Sequence, residues 1–256
     1  MSLWSQIGLK SAGGRAGWKR FTRMRPVRVE EDPADAFQWR GHFDENQTVG
    51  VFGLRGNIQV RGTDGSEAWI RAAKYGDSRD FDRIRIETEH TDAGIVVRVV
   101  YPSGTWIGEL PEVNFTIEIP VRSNFAANIV NSVVSVKSVA GEVAAYVVNG
   151  SVTIAGAGSV HASVVNGPVV AMLGEVHWRK PVHCSTLKGT IELGIPAGAN
   201  TGVRLKSAKG KIFSDFPLSR DHDEPGTVLI GSIGDPGDRR LTCDAVKGNI
   251  YLRRII

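Results

Sequence analysis

Val148-Asn149-Gly150-Ser151-Val152 returns as Val165-Asn166-Gly167-Pro168-Val169, Leu187-Lys188-Gly189-Thr190-Ile191, Ala208-Lys209-Gly210-Lys211-Ile212 and Val246-Lys247-Gly248-Asn249-Ile250. In each copy a residue that tolerates a tight bend precedes a glycine, and a β-branched residue follows two places later. A strand ends, turns and restarts on the same beat. Such self-similarity predicts rungs that bury their apolar face only by stacking on one another. The expected architecture is all-β, a parallel β-solenoid of the single-stranded β-helix kind.

Aligning the five copies on Gly150, Gly167, Gly189, Gly210 and Gly248 turns the repeat into columns. Two places after the glycine stand Val152, Val169, Ile191, Ile212 and Ile250. Two places before it stand Val148, Val165, Leu187, Ala208 and Val246, and five before it Ala145, Ala162, Cys184, Leu205 and Cys243. These columns are expected to face inward, with Tyr146, Ser163, Ser185, Lys206 and Asp244 facing out. Rungs stacked in chain order, about 4.8 Å apart, put Cys184 and Cys243 two rungs apart with Leu205 between them. At about 9.6 Å they are too distant for a disulfide, so both are expected to be free and buried.

Outward from this core, the Gly-x-Val restarts at Gly141, Gly150, Gly158, Gly167 and Gly174 suggest two half-rungs to a turn. The gap between Gly210 and Gly248 holds Asp221-His222-Asp223-Glu224-Pro225-Gly226, which reads as a solvated loop. Upstream, Phe37–Arg40, Thr48–Phe52, Ala68–Ala72, Arg83–Glu87, Ile95–Tyr101 and Val113–Ile119 alternate with period two. Gly53–Val60 resembles the later repeats. No helical periodicity follows residue 30. The chain therefore divides into a basic tail (1–34), an N-terminal β region (35–120) and the repeats (121–256).

The 256 residues carry 30 glycines, well above average usage of about 7%. Net charge is +4, and residues 1–29 supply seven Lys or Arg with no acid before Glu30. The rest holds 24 bases against 27 acids, which argues against nucleic acid as a partner of the body. No stretch has the apolar length of a membrane span, and no secretory signal is visible, because Ser11, Gly13 and Gly14 interrupt the basic segment. The tail reads as flexible, as a weak membrane-surface contact through Trp4, Ile7, Trp18 and Phe21, or as a mis-set start that hides an export signal.

Motifs for catalysis are missing. There is no Gly-x-Ser-x-Gly and no phosphate-cradling glycine loop. The outward acids Glu142, Glu175, Glu192 and Asp244 share no column, as a carbohydrate-active solenoid would require. His161 and His183 share a column, with His177 between them in sequence, but no cysteine or carboxylate stands at ligand spacing. Asp221, Asp223 and Glu224 lack a calcium-loop pattern. No catalytic residue, cofactor or metal is expected. The one binding feature is a ridge of Lys188, Lys209 and Lys247, with Lys206 and Lys211 close by. It could follow an anionic glycan or envelope polymer, or serve only to keep a β-edge soluble.

Taken together, these turns resemble the DUF4097 family of adhesin-like β-strand-repeat proteins. The resemblance spans about Phe37 to Arg254 and rests on the Val-Asn-Gly-Ser-Val turn, Gly56-Asn57-Ile58-Gln59-Val60, Ile119-Pro120 and Ile195-Pro196-Ala197-Gly198-Ala199. Ser214-Asp215-Phe216-Pro217-Leu218, Gly231-Ser232-Ile233-Gly234 and Lys247–Leu252 add to it. It implies a parallel β-solenoid, usually on an exported or membrane-attached protein, with no established enzymatic activity. Three of the five turn asparagines are lysine here. The expectation is an adhesin-like binding module at the cell envelope or secreted. A self-assembling scaffold in the cytoplasm or at the inner membrane surface is the alternative.

Overall fold

Alternating side chains restarted at a glycine corner give each rung two strands, each able to pair with the rungs above and below. The computed structural model describes residues 36–102, 109–174, 178 and 180–255, and there this is the arrangement. The basic tail, Glu175 and His177 lie outside the described residues. Nineteen strands form one hydrogen-bonded sheet, and the single helical element described is a 3-10 turn at Ser78–Arg83.

In chain order the N-terminal strands are β1 (Ala36–His42), β2 (Thr48–Arg55), β3 (Ile58–Thr63), β4 (Glu67–Tyr75), β5 (Arg85–Thr91), β6 (Gly94–Val100) and β7 (Glu112–Pro120). The middle is β8 (Asn124–Lys137), β9 (Glu142–Ala157), β10 (Ser159–Asn166) and β11 (Val169–Leu173). Then come β12 (Val182–Lys188), β13 (Ile191–Pro196), β14 (Thr201–Lys209) and β15 (Ile212–Ser214). The chain ends with β16 (Ser219–Asp221), β17 (Thr227–Ile233), β18 (Arg240–Lys247) and β19 (Ile250–Ile255).

Two parallel ladders run through the molecule, joined at the glycine corner. One passes from β6 to β2, the first half of β8, the first half of β9, β10, β12, β18 and β14. The other passes from β7 to β3, the second halves of β8 and β9, β11, β13, β19 and β15. Their inward residues, from Val49 and Ile58 to Leu205 and Leu252, form one hydrophobic core. Antiparallel strands cover one end fully, β5 on β6 and β4 with β1 on β7, and half of the other, β17 with β16 on β14, while β15 pairs only with β19.

The stack does not follow chain order, which corrects the expectation. The last rung, β18–β19, is inserted between β12–β13 and β14–β15. Likewise β2–β3 lies between β6–β7 and β8. Cys243 is thus the direct partner of Cys184, and Leu205 lies beyond it. Both cysteines are free and buried as expected, but not because a rung separates them. The physical reason is that like columns let any rung stack on any other, while β14 gives its remaining edge to antiparallel β17.

A second correction concerns the columns. Counting in steps of two from the buried position five before the glycine reaches the position three before it, held by Val147, Val164, Thr186, Ser207 and Ala245, all buried. The position two before it therefore faces outward: Leu187 is 44% and Val246 43% exposed. Thr186 and Ser207 are tolerated inside because each hydroxyl donates to a corner carbonyl, that of Gly167 at 3.0 Å and of Gly248 at 2.8 Å.

Candidate ligand-binding edge

The corner is built by close approach of backbones. A Cβ on Gly167 would occupy the place of the Gly150 carbonyl oxygen, and one on Gly248 that of the Gly189 carbonyl. Gly150, Gly189 and Gly210 meet the same obstacle from Ser132, Gly167 and Gly248. The amides continue the succession, with Gly167 N donating to Lys188 O (2.7 Å), Gly189 N to Lys247 O (3.0 Å) and Gly248 N to Lys209 O (3.3 Å). Glycine spacing thus fixes one exposed line of side chains immediately before the corner.

That line reads Arg55, Asn131, Asn149, Asn166, Lys188, Lys247, Lys209 across successive rungs. Arg55 is held by Glu112 (3.0 Å) and Glu109 (3.2 Å), and its hydrogen bond to Glu112 leads the effects that raise its pKa. The asparagines form an amide ladder, Asn149 Nδ2 donating to Asn131 Oδ1 at 2.9 Å and Asn166 Nδ2 to Asn149 Oδ1 at 2.8 Å. The next three rungs carry exposed lysines. Lys211, also exposed, follows the corner of the Lys209 rung, its amide donating to Asn249 Oδ1 at 2.9 Å. None of the ion pairs among the described residues includes Lys188, Lys209, Lys211 or Lys247.

Lys206 behaves differently. It lies on the outer face, four places before its corner, and donates to Glu224 at 2.6 Å. Arg204 reaches the same carboxylate at 2.7 Å and Asp244 at 3.3 Å. The hydrogen bond from Arg204, then that from Lys206, pull the Glu224 carboxyl down to about 2. The acidic loop therefore neutralises the face of the final rungs, and Asp221 Oδ1 accepts the Asp223 amide at 3.0 Å. Among the described residues no group of three or more His, Cys, Asp or Glu is placed to hold a metal ion.

On the same outer face His161 and His183 are register partners, their rings 5.1 Å apart and tilted by 42°. Burial lowers both pKa values, and for His161 the neighbouring imidazole adds to the effect, while Glu142 opposes it there and Asp244 opposes it at His183. Glu142 itself is paired with Lys180. Sequence reading missed the stripe beside the lysines: Leu187, Val246 and Ala208 all face outward next to Lys188, Lys247 and Lys209. Strict period-two counting from the cysteine column would have found it.

No family model matches the chain, and no curated protein matches it. Solved structures do. A structure described as a "putative cell adhesion protein" from Clostridium sporogenes aligns over 86% of this chain and all of its own, at 9% identity and a TM-score of 0.52. A "putative adhesin" from Bacteroides fragilis aligns over 85% of this chain and 96% of its own, at 12% identity and a TM-score of 0.40. The first likeness is one of fold.

Proposed function

We propose that the protein is a non-enzymatic binding module of the DUF4097 kind, a β-solenoid that holds an anionic envelope polymer or acidic glycan along its lysine corner. The observation that carries this reading is the contrast on the final rungs. Face cations Arg204 and Lys206 are matched by Glu224 and Asp244, whereas corner cations Lys188, Lys247 and Lys209 stand at rung spacing with no acid against them. Like charges about 5 Å apart repel by roughly 1 kcal/mol in water. A repeating polyanion with charges at similar intervals would relieve that cost rung by rung and gain from multivalency. The adhesin-like fold of the Clostridium sporogenes structure supports the same direction.

This reading is preferred over the scaffold because antiparallel strands cover the β6–β7 end of the stack and the β14 half of the other end. Among the described strands, only the three-residue outer edge of β15 would offer a second copy an open parallel rung. Titration with lipoteichoic acid and with lipopolysaccharide at low salt tests the proposal. Lys188→Gln/Lys209→Gln/Lys247→Gln should weaken binding to at least one of them by roughly tenfold or more, and Lys206→Gln should change it little. Equal binding by the triple variant, or no binding by the native protein, refutes the assignment.

A further inference from the structure

Cys184 in β12 and Cys243 in β18 are partners in one parallel strand pair, and both side chains are fully buried. Ala162 and Leu205 flank them in the same inward column. Register partners in adjacent strands are about 4.8 Å apart, inside the Cα range of disulfides. Their Cβ atoms begin at a similar separation, so closing a bond draws the two strands together locally by about 0.3 to 1 Å. The disulfide is neutral and apolar, which suits this core, whereas a thiolate metal site would bury charge.

We propose that Cys184 and Cys243 form a cross-rung disulfide site, oxidised by a low-molecular-weight disulfide such as glutathione disulfide before the last rung docks. One cysteine thiolate attacks glutathione disulfide, forming a mixed disulfide and releasing one glutathione thiolate. The second cysteine thiolate attacks the protein sulfur of that mixed disulfide, closing the Cys184–Cys243 bond and releasing the second glutathione. Two protein thiols are oxidised, one glutathione disulfide is reduced to two thiols, and the two protons lost by the cysteines end on them.

Timing follows from the fold. Once β18 is inserted, neither sulfur meets solvent. The hydrogen bond with Cys184, followed by burial, pushes the Cys243 thiol well above its ordinary value, which suppresses the attacking thiolate. The bond would enclose β13 to β17 in a covalent loop and fasten the interposed rung to β12. This inference is independent of any ligand at the corner.

The full chain, denatured and reduced, is refolded with glutathione and glutathione disulfide, then mapped by peptide mass spectrometry. The expected product has lost two hydrogens, yields a linked Cys184–Cys243 peptide, and melts higher than the reduced protein by roughly 5 °C or more. Cys243→Ala should abolish the linked peptide. The folded, reduced protein should stay reduced under the same treatment. Refolded protein with both thiols free, or each capped by glutathione, would overturn the proposal. Should refolding fail, the same peptide map is made on protein produced in an oxidising compartment: a linked peptide supports the proposal and free thiols overturn it.

Discussion

Between Asn124 and Leu173 the chain and the stack advance together, whereas between Val182 and Ile255 they part. In the first region β8, β9 and β10–β11 each lie on the rung just made. In the second, the chain builds β14–β15, turns back through antiparallel β16 and β17, and only then supplies the rung that fills the space left behind. Neighbour choice in a repeat is therefore not a local property. What a rung needs is a complementary edge on each side, and β18–β19 finds two while a terminal position would offer one. The opposite end uses the same device with β2–β3, so each end of the stack has an interposed rung and an antiparallel cover, which at the β14–β15 end reaches β14 alone.

The contrast can be broken most severely by deletion. Removing residues 240–256 from a stack in chain order would trim an end, but here it takes a rung paired on both edges. Hydrogen exchange should show protection lost throughout β14 to β17 while β8 to β11 remain protected, because stability is distributed in cooperative units. Retained protection in β14 would contradict the interposed order.

Gly248→Ala comes next. Its Cβ would collide with the Gly189 carbonyl, whereas Gly237, in the loop before β18, has open space around it and only a left-handed φ of 47° to strain. Urea denaturation should register a loss of about 3 kcal/mol or more for Gly248→Ala and about 1 kcal/mol for Gly237→Ala. Similar losses at both would mean the corner is not as tight as described.

Acid should act on the junction between the two regions, where His161 of β10 faces His183 of β12. Both imidazoles have pKa values below the ordinary 6.5, so the folded state takes up their protons less readily than the unfolded state. Their neutral forms contribute stability that is complete above that value and is lost as pH falls through it toward the lower folded values. Glu142 and Asp244 moderate the effect. His161→Gln/His183→Gln should flatten the fall in melting temperature between pH 7 and about 5. An unchanged slope would place the acid sensitivity elsewhere.

The smallest effect should be a gain. The asparagine rungs stabilise their corner through amide hydrogen bonds, while the lysine rungs bear unmatched charge. Replacing Lys188, Lys209 and Lys247 with glutamine should therefore raise stability by a few tenths of a kcal/mol at low salt and not at high salt. A loss at both would mean the lysines support the fold.

Much of this arrangement can be read from the chain. The glycine corner, the inward Ala145–Ala162–Cys184 column and the outward Tyr146–Ser163–Ser185 column all follow from period two and one alignment. So do the strands from Phe37 to Ile119, apart from the 3-10 turn at Ser78–Arg83 that displaces the start of β5 to Arg85. The inward assignment of Leu187 and Val246 fails because hydrophobicity outweighed parity; both are exposed next to the corner lysines. Rung order was not legible, since columns alike enough to stack are alike enough to stack in any order. The role of Glu224 was hidden for a related reason: only the fold brings that loop over Arg204 and Lys206.

The interposed rung is tested most directly by paired cysteines on the outer face, in a Cys184→Ala/Cys243→Ala background. Ser185 and Asp244 are register partners, while Ser185 and Lys206 are separated by the inserted rung. Under copper–phenanthroline oxidation, Ser185→Cys with Asp244→Cys should cross-link within the monomer, and Ser185→Cys with Lys206→Cys should not. Efficient linkage of the 185–206 pair with none at 185–244 would restore chain order and contradict the account.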